Sequence, residues 1–198
     1  MLDATLRLVR RDGWAATTVE AVCAAAGVSK GAFFHHFPSK EALGVAAAER
    51  WSQVTGDLFA QAPYHAPADP LARVLGYVAF RRRLLRGAPP DFTCFVGTVV
   101  QEAHAASPAL REACGRSIFG HAATLEADIA EAMAARGVDL PGGAAALARH
   151  TQAVLQGAFI LAKAGGGAAA AAESVDHLSR YLRLLFNAPE GGDDDARP

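Results

Sequence analysis

No stretch of this sequence reaches the roughly 18 to 20 uninterrupted apolar residues that a membrane-spanning helix needs. The opening segment, MLDATLRLVRRDG, is charged where a secretory signal would be apolar. Neither a membrane partner nor an exported precursor is expected. Cysteine is scarce: Cys23, Cys94 and Cys114 are an odd number with no CxxC spacing, which suits buried free thiols in a reducing cytoplasm. Neither sign of charge dominates, the net value being −1. Strand signals are nearly missing, since no run alternates apolar and polar residues over more than a few positions. There is no nucleophile elbow, glycine-rich phosphate loop or paired-carboxylate motif. His104, His121 and His150 lack carboxylate or metal-ligand spacing. An enzyme is therefore not expected, and no cofactor or metal is called for.

What is present is apolar spacing of three and four. With 198 residues, 52% hydrophobic and 20% charged, the chain has the means to bury a proper core. The expected fold is all-α, with about nine helices. An N-terminal three-helix helix-turn-helix domain over residues 1–47 precedes a larger helical domain over 48–186, and an acidic tail over 187–198 is expected to be disordered. Leu2, Leu6 and Val9 give the first helix one apolar face, and Asp12-Gly13 closes it. Thr17 with Glu20 three residues on forms a capping-box pattern that starts a second helix, ended by Gly27. Ser29 caps a third helix from Lys30, and Pro38-Ser39 ends it and caps a fourth from Lys40 towards Gln61. Further helices are expected at about 70–87, 92–105, 108–136, 143–164 and 170–186.

Two short helices across an AAGVS turn match a helix-turn-helix. In the stretch VSKGAFFHHFPSKEAL, Val28, Phe33 and Phe37 can turn inwards beside Ala32, which leaves Lys30, Gly31, Phe34, His35 and part of His36 outside. An exposed phenylalanine between a lysine and histidines is unfavourable unless something covers it, and a major groove admits one helix. Lys30 can then reach guanine O6/N7 or a phosphate. Gly31 removes a side chain that would hold the backbone off, and His36 and Lys40 can bond phosphate. The first fifty residues carry a slight positive balance, a weak signal in the same direction. As a zinc pair His35 and His36 fail, because adjacent helical residues point about 100° apart.

The array TTVEAVCAAAGVSKGAFFHHFPSKEAL resembles the DNA-binding domain of the TetR family of transcriptional regulators, whose usual run is T-x-x-x-I-A-x-x-A-G-V-S-x-G-x-x-Y-x-H/Y-F-x-S-K-x-x-L. The resemblance covers residues 1 to about 47. By position it implies that Thr17 or Thr18 contacts phosphate at the start of the second helix, that Lys30, Gly31 and Ala32 face base edges, that Phe34, His35 and His36 brace the DNA backbone, and that Lys40 anchors a phosphate. Two departures from the pattern matter. Phe34 stands where the family often has tyrosine, and the sequence begins almost at the first helix, without the short basic arm many members carry. Both imply fewer phosphate contacts and a shallower salt slope.

A single recognition helix covers about four bases, so useful specificity asks for two heads on adjacent half-sites. The last two helices suit a homodimer joined as a four-helix bundle, and the resemblance implies the same location. The expected interface is Val154, Gly157, Ala158, Leu161, Leu178, Tyr181, Leu182 and Leu185; intrachain core is the competing reading. The middle helices hold Tyr77, Phe80, Phe92, Phe95 and Phe119 beside Gln101, His104, Gln152 and Gln156, the mixture a small-molecule cavity needs. The expected pocket comprises Tyr77, Phe80, Phe95, Phe119, Gln152 and Gln156. The resemblance implies an effector that wedges helices apart and uses the fourth helix as a lever on the recognition helices.

The function expected is thus that of a cytoplasmic, homodimeric, ligand-binding TetR-like regulator. It would be a repressor released from a palindromic double-stranded operator by a small-molecule effector whose identity stays open. A helical interaction or sensor protein with weakened or lost DNA binding is the alternative. Two lesser features are weighed the same way. The run RRRLLR (Arg81, Arg82, Arg83, Arg86) is expected as a charged outer face. Cys94 with Cys114 is expected as packing rather than a redox pair.

Overall fold

The computed structural model describes residues 1–189, and all regular structure among them is helical. The head consists of α1 (Leu2–Asp12), α2 (Val19–Ala26) and α3 (Lys30–His36), followed by the long α4 (Lys40–Ala60). Each start is written locally. The hydroxyls of Thr18, Ser29 and Ser39 accept hydrogen bonds from the main-chain N–H of Ala21, Ala32 and Ala42, each at 3.1 Å. Gly27 ends α2 in the left-handed region (φ 67°, ψ 33°), where a side chain would be strained. The cap of α2 lies one residue later than the Thr17–Glu20 box suggests. Thr17 is instead buried, and its hydroxyl donates to the Gly13 carbonyl at 2.7 Å.

The body contains α5 (Pro70–Leu84), α6 (Pro89–Phe92), α7 (Phe95–Ala103), α8 (Pro108–Ala123), α9 (Glu126–Arg136), α10 (Gly143–Leu161) and α11 (Gly167–Leu185). A helix occupies each expected segment; one starts late behind an unforeseen single turn, α6, and one is subdivided. The helix expected over 92–105 starts only at Phe95, because Thr93 and Cys94 are extended and the Cys94 sulfur accepts from Gly97 N at 3.3 Å to start α7; α6 is a single turn in the expected break before it. The 108–136 segment divides at Thr124, whose hydroxyl bonds the His121 carbonyl at 2.8 Å and tightens that turn. Between α10 and α11 the chain reverses through a π-turn over Ala162–Gly166, with Gly165 at φ 118°. His150 and Tyr181 consequently meet, ring centroids 5.3 Å apart, and the two helices form an antiparallel hairpin. Gly143–Leu185 does contain an 18-residue window long and apolar enough in composition for a membrane span, but the reversal divides it into two helices of 19 residues. Of the expected acidic tail, residues 190–198 lie outside the described residues.

Three apolar clusters hold these elements. Leu8, Val22, Cys23, Phe33 and Leu43 form the head core. Five buried side chains, at roughly 1.5–3 kcal/mol each, are few against the entropy of ordering the head. The head therefore leans on its neighbour. Leu6, Val9 and Trp14 belong to a second cluster with Ala47, Phe95, Val96, Val99, Leu110 and Cys114, which joins α1 and α4 to α7 and α8. Polar contacts reinforce this seam. The Glu102 carboxylate accepts from Trp14 N (3.1 Å) and Ala15 N (2.7 Å), and Ser107 donates to Glu41 at 2.5 Å. The third cluster fills the body between α5, α9, α10 and α11.

Candidate nucleic-acid interface and cavity

Helix α3 is seven residues long and is pinned by one of them. Phe33 is 0% exposed in the head core, while its neighbour Phe34 is 50% exposed and meets it edge-on at 5.1 Å. Lys30, Gly31, His35 and His36 are exposed on the same short rod, with Ala32 partly so. At the start of α2, Thr18 is exposed and Thr17 is not. Of the two threonines, then, only Thr18 is on the surface; Thr17 positions the turn that presents it. Two lysine contacts here carry no signal in residue types alone. Lys30 Nζ lies 2.5 Å from Glu20 Oε1, an exposed ion pair across the turn that raises the lysine pKa and lowers that of the carboxyl. Lys40 Nζ donates to the carbonyls of Trp14 (2.6 Å) and Ala15 (3.4 Å) and stands 4.5 Å over the Trp14 ring. Burial lowers its pKa, with Glu102 opposing. Lys40 is thus a strut that ties the start of α4 to the α1–α2 turn, with one N–H left over.

A cavity of about 300 Å³ lies where head and body meet. Its apolar wall includes Leu6, Trp51, Phe59, Phe92, Ile118 and Phe159, and its polar groups are Arg10, Thr55, Arg81, Asp91, Cys94, Ser117, His121, Gln152 and Gln156. Of the pocket residues expected from sequence, Gln152 and Gln156 line it. Tyr77, 1% exposed, stands just behind the wall, and Phe80 packs on Phe59 at 5.4 Å. Two expectations are corrected. Phe95 is 0% exposed in the seam cluster beside Trp51, and Phe119 is 62% exposed on the surface. Arg81 also leaves the expected charged outer face and turns to the cavity, while Arg82 stays outside and pairs with Asp176 at 3.1 Å.

The polar end of the cavity follows from donor counting. Tyr77 Oη is contacted by Arg81 Nε (3.0 Å), Gln152 Nε2 (2.8 Å) and His121 Nε2 (3.0 Å). The first two are donors, so the single phenolic proton goes to His121 Nε2, and the imidazole carries its own proton on Nδ1. Burial and, secondly, the Arg81 charge push the His121 pKa down to about 3, so the ring is neutral. At the other end, Arg10 donates to the carbonyls of Leu6 (3.1 Å) and Asp91 (3.3 Å) and lies 5.3 Å over the Trp51 ring. Burial lowers its pKa, and Asp91 opposes the shift. Leu6 and Arg10 belong to α1, so the head itself forms part of this wall. Nothing in the periodicity of α1 signals that. Cys94 also faces the cavity, whereas Cys114 is fully buried and its thiol is pushed up to about 12, by burial first and Cys94 second.

The α10–α11 hairpin divides the residues expected at a dimer interface. Ala158, Leu178 and Leu182 are at most 2% exposed and are consumed in the body core, a correction that follows from both faces of these helices being apolar. Leu161 (53%) and Tyr181 (42%) are exposed, Val154, Gly157 and Leu185 are partly so, and Ile160 (49%) and Leu184 (78%) join them unforeseen.

Residues 1–47 match the family model described as bacterial regulatory proteins, tetR family. An uncharacterized HTH-type transcriptional regulator of Bacillus subtilis (strain 168), YerO, is 45% identical over 49 residues, which is 25% of this chain and 17% of that protein. The chain thus spans well under two thirds of that relative. Over nearly the whole chain, the fold is similar to Escherichia coli NemR in its reduced form (TM-score 0.80, 20% identity, 96% of each chain). It is also similar to regulatory protein TetR from Rhodobacter sphaeroides (0.79, 23%, 91% of this chain and 95% of that one). A TetR transcriptional regulator from Chloroflexus aurantiacus J-10-FL matches at 0.77 and 25%, over 93% of each chain.

Proposed function

We propose, for a chain whose first 47 residues match the family model of bacterial regulatory proteins, tetR family, and whose fold is similar to TetR-family regulators over 91–96% of its length, that it works as a homodimeric repressor in the cytoplasm, freed from a palindromic operator by a small effector. The observation that carries the reading is the outward face of α3: Phe34 half exposed beside Lys30, Gly31, His35 and His36 while Phe33 is buried behind it. A monomer gains nothing by holding a phenylalanine in water. A duplex groove covers it, with Lys30 at base edges, Phe34, His35 and His36 against the backbone, and Thr18 at phosphate. Lys30 enters that contact by exchanging Glu20 for DNA.

Two copies place two such helices on adjacent half-sites. The exposed apolar side chains Ile160 and Leu161 near the turn of the α10–α11 hairpin and Tyr181 and Leu184 towards its other end suit a partner surface. The cavity at the seam supports release, since α1 lines it directly and Glu102 links α7 to the α1–α2 turn. A ligand that repositions α1 and α7 shifts both heads, and half-sites about 34–36 Å apart tolerate little displacement. Fluorescence anisotropy with the duplex upstream of the chain's own gene is the test. Sequence-selective, salt-sensitive binding at one dimer per site is expected. Equal affinity for scrambled DNA, or no binding at low salt, overturns the reading.

A further inference from the structure

The two ends of the seam cavity differ in charge. At the Arg10 end a carboxylate is close, since Asp91 lines the same wall and Arg10 Nη1 donates to its main-chain oxygen at 3.3 Å. At the Arg81 end there is no acid. Among the described residues Arg81 forms no ion pair, and its only hydrogen bond runs from Nε to the Tyr77 hydroxyl, which leaves both Nη groups without a partner. The guanidinium is held in place by that bond and by the Phe59 ring 4.6 Å below it. Around it stand Tyr77, whose proton is committed to His121, and the Gln152 amide, whose nitrogen is committed to Tyr77. The remaining side-chain groups at this end are the Arg81 Nη donors, His121 Nδ1–H and the neutral Gln152 amide oxygen, so the one charge presented here is positive. A fork of planar donors facing a cavity and lacking an acceptor favours a carboxylate or a similar planar oxyanion. Between the two charged ends, Trp51, Phe59, Phe92, Ile118 and Phe159 supply an apolar and aromatic wall interrupted by the neutral Thr55, Ser117 and Gln156.

We propose that this cavity takes an apolar molecule bearing a single carboxylate-type anion, with the charged end on Arg81 and the hydrocarbon body between Trp51, Phe92 and Phe159. At about 300 Å³ the space holds roughly ten to fifteen non-hydrogen atoms, given that a water's share of liquid is about 30 Å³. A cation of the same size meets an uncompensated guanidinium and is rejected. The ligand class deepens the effector reading above and rests on it for any consequence at DNA, but not for binding itself.

The probe is an isosteric set: 4-phenylbutyrate, 4-phenylbutanamide and 4-phenylbutylamine, titrated into the full chain by calorimetry and by intrinsic tryptophan fluorescence, Trp51 lining the cavity and Trp14 not. The acid is expected to bind about ten- to a hundredfold tighter than either partner, the range of one charge-assisted hydrogen-bond pair. Arg81→Met erases that preference. Arg81→Lys, which keeps the charge but not the fork, retains part of it and serves if the methionine variant does not fold. Equal binding of the amine or amide, a preference that survives Arg81→Met, or no binding of any of the three at millimolar concentration overturns the proposal. Operator release is read separately by anisotropy. An acid that binds selectively but leaves DNA bound sinks the release mechanism while the ligand class stands.

Discussion

The head closes its five-residue core completely and turns Phe34 outward, whereas the body arranges Trp51, Phe59, Phe92 and Phe159 around open space. The same kind of side chain serves presentation in one region and reception in the other. The difference lies in how each is supported. In the head, a hydroxyl cap opens each of α2, α3 and α4, and α3 is fixed by one buried ring. In the body, the cavity is bounded by helices far apart in sequence. The two regions share α1: Leu8 faces the head core, Leu6 and Val9 the seam, and Arg10 the cavity.

The contrast breaks most sharply at Phe33. Phe33→Ala should cost about 3–5 kcal/mol, concentrated in the head, so operator binding should vanish at temperatures where the circular dichroism of the body persists. Binding that survives would mean that α3 is not held by this core. On the receiving side, His121 is the acid-sensitive element. Its folded pKa of about 3 lies below its unfolded value of 6.5, so as pH falls from 6.5 towards 3 the unfolded chain takes up a proton that the folded chain refuses. Its contribution to stability is then lost at up to ~1.4 kcal/mol per pH unit. Denaturation at stepped pH should show a shallower acid limb for His121→Gln, and parallel limbs would refute the assignment.

The joint itself is probed by Glu102→Ala, which leaves the Trp14 and Ala15 amides unpaired at about 1–3 kcal/mol. Hydrogen exchange should accelerate at the α1–α2 turn and not in α10; uniform acceleration would mean that the seam is not a separate link. The smallest effect belongs to Glu20→Gln. Releasing Lys30 from its ion pair should tighten operator binding roughly three- to tenfold at low salt and steepen the salt slope by about one unit. An unchanged slope would leave Lys30 without a phosphate or base partner.

Much of the head was legible in the order of residues. Ser29, Ser39 and Gly27 announce their caps, and the alternation of Phe33 and Phe34 between core and surface follows from a helix of known start. The one slip, Thr17 for Thr18, arises because adjacent threonines offer the same hydroxyl and only the bond from Thr17 to Gly13 separates them. The cavity was half legible. Gln152 and Gln156 sit on a predicted helix face. Phe95 and Phe119, though, cannot be assigned to core, wall or surface from spacing, because any of these suits an aromatic on an amphipathic helix. Arg10, Arg81 and His121 carried no signal, since a charged residue on a helix is expected in solvent and only long-range packing brings these three to one void. The α10–α11 hairpin failed in the same way: two apolar faces exist, and the sequence does not say which meets the chain's own core.

By itself, then, the sequence determined the helical class, the helix-turn-helix and the outward face of α3, because caps, turns and a 3.6-residue period act within a few residues of one another. The tertiary structure alone decided which arginine turns to the cavity with no ion-pair partner, that the N-terminal head forms part of that cavity's wall, and which leucines of the final hairpin stay exposed. Those outcomes depend on contacts between distant residues, such as Tyr77 with His121 and Gln152, 44 and 75 positions apart, and Arg10 with Asp91, 81 apart, whose free energy appears only when the chain has closed on itself.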